Sequence, residues 1–198
     1  MVENGVNEVY RTLDMIDAAL HANAGARLAG IVELANLSSI IGNLFANGIV
    51  KHCGGVFDRA GAHKYQDLRA CALEAEHVEI KVALETNAPK GHLAEGKQGY
   101  YLTCRYVLGD EDGNYTIGNR GDVVWIWEIR LGYLVETDFS VSNTPGDSGK
   151  TAVIGSDALI DKLRLIYFDQ RFCPYRNGPR WFLAKYGAPR NYVQHLAL

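Results

Sequence analysis

Apolar residues in the first fifty positions recur every three or four residues. Val6, Val9, Leu13, Ile16 and Leu20 form one such stripe, which predicts an amphipathic helix. A second predicted helix runs from about residue 28 to 45, with Ile31, Leu34, Ile41, Leu44 and Phe45 turned inward and Asn47-Gly48 as its stop. The period then changes. From residue 54 to 130 the segments are short, rich in β-branched and aromatic residues, and separated by turn residues. Residues 78–84 alternate, with Val78, Ile80, Val82 and Leu84 on one side and Glu79 and Lys81 on the other. Residues 99–108 predict another strand, followed by an Asp-Gly turn cluster, and residues 123–129 and 133–136 predict a hairpin closed around Gly132. Residues 151–154 read as a strand, and Ser156 as the N-cap of a helix from 157 to about 168, with a looped tail beyond. No repeat or long linker divides the chain. The order predicts one α/β domain over 1–198, a mixed central β-sheet flanked by helices. Its parts are N-terminal helices in 1–50, a sheet in 54–135, and a C-terminal helix with a basic aromatic tail in 156–198.

Composition narrows the class. At 198 residues and 47% hydrophobic, the chain can bury a core without disulfides, and it is neither a disordered, collagen-like nor cysteine-rich sequence. The four cysteines (53, 71, 104, 173) form no CxxC pair and have no His at ligand spacing, so idle thiols in a reducing compartment are expected. The first residues lack a basic n-region with a long apolar run, and no stretch approaches the ~18 apolar residues of a membrane span. A cytoplasmic protein without a membrane segment is the expectation.

Charge changes the picture only when divided. From Lys162 onward seven Lys or Arg face one acid, Asp169, giving +6, whereas the preceding stretch carries −9 within a net −3. Such asymmetry points to a polyanionic partner.

The alternating strand holds the candidate chemistry. Glu79 and Lys81 lie one pleat apart on a single face, and Asp67 precedes Glu79 by twelve residues in a segment that reads as a neighbouring strand. Two carboxylates and an ammonium would then meet at one sheet surface. Metal-assisted phosphodiester hydrolysis needs such a set: hard oxygen ligands for Mg²⁺, and a positive charge where the attacking hydroxide meets the phosphate.

Asp67 with Glu79-Ile80-Lys81 resembles the signature of the PD-(D/E)XK nuclease superfamily, an Asp, a spacer, then (D/E)-x-K within a strand. Gln66 stands where that signature has Pro. The resemblance implies a restriction-endonuclease-like core, Asp67 and Glu79 as Mg²⁺ ligands helped by the Ile80 carbonyl, and Lys81 positioning the water. It also implies a further acid from a preceding helix, for which Glu33 is the candidate. Among such nucleases the chain is most similar to type II restriction endonucleases, which implies double-stranded DNA as partner and a homodimer matched to a palindromic site.

Further residues fit a DNA-facing role. Asn87, Lys90 and His92 follow the motif strand in a small polar loop, and Lys150 and Ser148 lie in another. Arg171, Arg176, Arg180, Lys185 and Arg190 alternate with Phe172, Tyr175, Trp181, Tyr186 and Tyr192, which suits a phosphate-tracking surface, a basic cover whose aromatics pack on the core, or both together. Residues 144–151 lack the first Gly of a P-loop and run into a predicted strand, and 146–149 has no supporting His for a serine triad. A repair or junction-resolving nuclease, a non-catalytic DNA-binding module, and an enzyme on a small phosphorylated substrate are the alternatives.

Overall fold

The computed structural model describes residues 1–61, 66–92, 98–142 and 151–187. It opens with helix α1 (Val2–His21), which buries Val6, Val9 and Leu13 of the expected stripe. A single turn, α2 (Leu28–Ile31), and the long α3 (Leu34–His52) follow. The second expected helix is therefore two. Val32 and Glu33 are extended, so the chain changes course there, and Ile31 and Leu34 are exposed rather than inward. Asn47-Gly48 does not stop α3. A Cβ on Gly48 would lie 2.9 Å from the Cα of Gly5, so this glycine serves the close approach of α1 and α3. Leu37, Ile41, Phe45 and Ile49 carry α3 onto the sheet.

The strands are β1 (Phe57–Arg59), β2 (Leu68–Ala70), β3 (Val78–Leu84), β4 (Lys90–His92), β5 (Gly99–Gly109), β6 (Val123–Leu134), β7 (Phe139–Ser142), β8 (Thr151–Ile154) and β9 (Arg164–Phe168). A six-stranded mixed sheet has the order β1-β2-β3-β5-β6-β9, and a smaller one the order β4-β8-β7. In the large sheet only β3 and β5 are parallel. The fold is thus α/β, with a mixed sheet flanked by helices, as the pattern led one to expect.

Two segments depart from their local pattern. The expected hairpin around Gly132 is one continuous strand, β6, because Gly132 makes room for another segment instead of turning: a Cβ there would lie 2.2 Å from the Lys162 carbonyl oxygen. The expected helix at 157–168 is a short α4 (Ser156–Asp161) followed by β9. Residues 164–168 pair with the edge of β6, whose unpaired main-chain groups need a partner more than the local sequence needs a helix. Helix α5 (Gly178–Tyr186) replaces much of the expected loop of the tail, with Pro179 in its first turn.

The main core lies between α1, α3 and one face of the large sheet, where Val78, Ile80, Leu84, Leu102 and Cys104 are buried. On the other face α5 closes a second cluster through Phe182, with Trp127, Phe168 and Phe172. Cys53, Cys104 and Cys173 are buried and Cys71 is exposed, all four as free thiols.

Candidate functional site

Strand β2 pairs with β3 at Leu68↔Val78 and then leaves it. Asp67, the next residue back along β2, fills the place a ladder carbonyl would take: its Oδ2 accepts the main-chain N–H of Ile80 at 2.9 Å. Within a strand the N–H and C=O of one residue point to the same edge, so the Ile80 carbonyl also opens toward the gap between β2 and β3. Glu79 reaches the same gap from the adjacent pleat. Its Oε2 accepts the N–H of Gln66 at 2.8 Å, and its Oε1 accepts from Lys81 Nζ at 2.5 Å. Gln66 holds the left-handed conformation, φ 72°, at this point. A proline could neither adopt that angle nor donate that N–H, which accounts physically for the residue found there.

A cleft of about 230 Å³ opens over these groups, lined by Asp67, Glu79, Ile80, Lys81 and Val82 on the sheet side. Helix α3 forms the facing wall with Ser38, Ser39, Gly42 and Asn43. Gly42 lets the helix sit close to β3, since a Cβ on it would meet Val82 Cγ2 at 3.2 Å. Ser38 donates to the Leu34 carbonyl and therefore accepts from the Tyr106 hydroxyl, 3.1 Å away. Burial, the largest influence, raises the Tyr106 pKa. Sequence reasoning missed this helix wall, although Ser38, Ser39, Gly42 and Asn43 fall at helical spacing among Leu37, Ile41 and Phe45.

Asp67, Glu79, Ile80 and Lys81 thus come together as expected. Glu33 does not join them. It is the N-cap of α3, exposed, about 13 Å of helix from Gly42, and is not part of the cleft lining. The helix contributes neutral polar groups in place of a third acid. Among the described residues no cluster of three or more His, Cys, Asp or Glu side chains is placed to hold a metal ion. Two carboxylates and a main-chain carbonyl, all oxygen ligands from residues that line the cleft, nonetheless suit Mg²⁺, which takes one or two carboxylates and keeps several waters.

The face carrying Glu79 and Lys81 continues into a buried charge network that the sequence did not reveal. Lys81 pairs in register with Thr103 of β5, and Thr103 with Arg130 of β6. Glu128 is buried between Arg105 and Arg130, one carboxylate oxygen on each. Arg130 also donates to the Leu163 carbonyl at 3.0 Å, and the Arg105 guanidinium stacks 4.5 Å from the Trp127 ring.

The remaining expected DNA-facing residues are spread out. Asn87 is exposed after β3, Lys90 is exposed, and His92 ends β4, whose partner β8 begins at Thr151. Lys150, Ser148, Arg190 and Tyr192 lie outside the described residues. Arg171 is tied to Asp169 at 2.6 Å, while Arg176 and Arg180 are exposed. Among the described residues the tail's aromatics form no open stacking surface: Phe172 and Phe182 are fully buried, and Tyr175, Trp181 and Tyr186 pack around them and Trp127. The described aromatics thus pack as a cover on the core, two strands away from β3 in the sheet order.

No family model matches the chain, and no curated protein matches it either. No helix among the described residues is long and apolar enough to cross a membrane.

Proposed function

We propose that this chain is a Mg²⁺-dependent endodeoxyribonuclease of the PD-(D/E)XK type that hydrolyses phosphodiester bonds in double-stranded DNA. The observation that carries the reading is the convergence of Asp67, Glu79, the Ile80 carbonyl and Lys81 on one cleft where β2 parts from β3. Asp67 and Glu79, with the Ile80 carbonyl, would hold the metal; when bound, it neutralises phosphate charge and acidifies a coordinated water. Lys81 is tethered to Glu79 and supplies an ammonium beside the attacking oxygen and the phosphate. Water oxygen bonds to phosphorus, one P–O ester bond breaks, and the leaving oxygen takes a proton. Exposed Lys90, Arg176 and Arg180 supply backbone contacts. A type II restriction role as a homodimer acting on a palindrome is the finer form of the proposal.

Incubation of supercoiled plasmid with the protein tests it. Mg²⁺-dependent cutting is expected, abolished by Lys81→Ala with DNA binding retained. Binding without cutting in either Mg²⁺ or Mn²⁺ would leave a DNA-binding module instead. Discrete bands, a smear, or cutting of branched DNA alone separate restriction from the other nuclease roles.

A further inference from the structure

The wall of the cleft that faces the carboxylates holds one side chain with donors to spare. Ser38 and Ser39 spend their hydroxyl protons on the carbonyls of Leu34 and Ala35, so neither offers a proton to a ligand. Asn43, exposed on the same wall, is different. Its Oδ1 accepts from Arg59 Nη2 at 2.9 Å. A guanidinium only donates, so this bond assigns Oδ1 to Arg59 and leaves the two Nδ2 protons without an acceptor among the described residues.

Arg59 is itself unusual. It sits on β1 opposite Leu68, the residue after Asp67, and so lies just behind the site. Among the described residues it faces no carboxylate at ion-pair distance, in contrast to Arg69 on the next strand, which pairs with Asp58. Its Nη1 is buried and has no hydrogen-bond partner among the described residues. Buried donors are nearly always paired, so a half-buried cation with an unmet N–H is a costly feature to keep. It places a positive charge, without a carboxylate partner among the described residues, behind a wall that carries the Asn43 amide.

We infer that Asn43 binds a phosphate of the substrate backbone across the cleft from Asp67 and Glu79, with Arg59 as the positioning residue that orients its amide. The inference rests on the nuclease reading above and assigns the substrate-binding wall of that site. Asn43 donates its Nδ2 protons to a non-bridging phosphate oxygen, and Arg59 lends charge without touching the DNA. The carboxylate side alone would repel a polyanion; this wall supplies the opposing attraction.

Asn43→Asp is the discriminating change. Asp keeps the acceptor for Arg59, so folding and thermal stability are retained, but it replaces two donors with a negative charge. Binding is read by fluorescence anisotropy of a labelled random-sequence duplex in Mg²⁺, in the Lys81→Ala background so that nothing is cut. Affinity is expected to fall about tenfold or more for every sequence tried. In the otherwise native protein the plasmid KM rises more than kcat falls, and Arg59→Met gives the same KM-weighted loss whereas a merely structural role would lower the active fraction at unchanged KM. Unchanged affinity and KM in Asn43→Asp, in a protein that cuts DNA and is silenced by Lys81→Ala, overturns this inference alone. A native chain that neither binds nor cuts DNA overturns both.

Discussion

The carboxylate of Asp67 holds the main-chain N–H of Ile80 at 2.9 Å, so one side chain both ends the β2–β3 ladder and stands at the mouth of the cleft. Structural and chemical roles of this residue can therefore be separated. Asp67→Asn keeps an acceptor for the Ile80 N–H while removing the charge a divalent cation needs. Cleavage is expected to fall at least a hundredfold with the melting temperature nearly unchanged. Asp67→Ala removes both, and leaving the N–H unpaired should cost a further 1–3 kcal/mol, roughly, in urea unfolding. Equal cleavage by native and Asp67→Asn protein would remove Asp67 from the proposed metal ligands.

Gln66 pays a strain cost at φ 72° to aim its N–H at Glu79. Gln66→Gly keeps both the angle and the N–H, and should be neutral or stabilising by about 0.5–1 kcal/mol. Gln66→Pro, which would match the PD-(D/E)XK signature more fully in sequence, permits neither. Loss of both stability and cutting is expected, checked by paired thermal melts and plasmid digestion.

Glu128 lies between two buried arginines, and its removal strands both charges. Glu128→Gln is expected to destabilise the fold by about 3–5 kcal/mol, measured by denaturant unfolding. Simultaneous replacement of all three by apolar residues should recover much of that loss, because burying ions is itself costly.

Glu8 ties α1 to α3 through Lys51 and to its own helix through Arg11. Hydrogen bonds from Arg11, then Lys51, hold its carboxyl at about 2 against an ordinary 4.5. The folded state thus favours the ionised form, and the contribution is complete above pH 4.5 and fades as pH falls toward 2. The melting temperature of native protein should exceed that of Glu8→Gln at pH 7, with the gap closing across that window. The exposed setting keeps the gap small.

Much of the candidate site was legible because it depends on strand periodicity. Alternation over 78–84 placed Glu79 and Lys81 on one face, and Ile80 in the core, whatever the neighbours were. The spacing to Asp67 then sufficed to suggest a second strand. Glu33 failed because a helix start says nothing about which strand the helix will face. Arg59 and Asn43 were invisible for the same reason: they are 16 residues apart and meet only because α3 packs over β1. The alternation in the tail left a phosphate-tracking surface and a basic cover both open, and only Trp127 on β6 shows the apolar face that the described aromatics cover.

The sequence by itself determined the α/β class, the first helix, the motif strand and the pairing of opposite charges on it, since each follows from a local period that burial of one face enforces. Tertiary structure alone decided where strands continue, as at Gly132, and where a helical pattern yields to a sheet edge, as at 164–168. It also decided which polar groups line the cleft. Those outcomes turn on non-local contacts, and an unpaired strand edge or a close backbone approach outweighs the small local preferences that a one-dimensional pattern records.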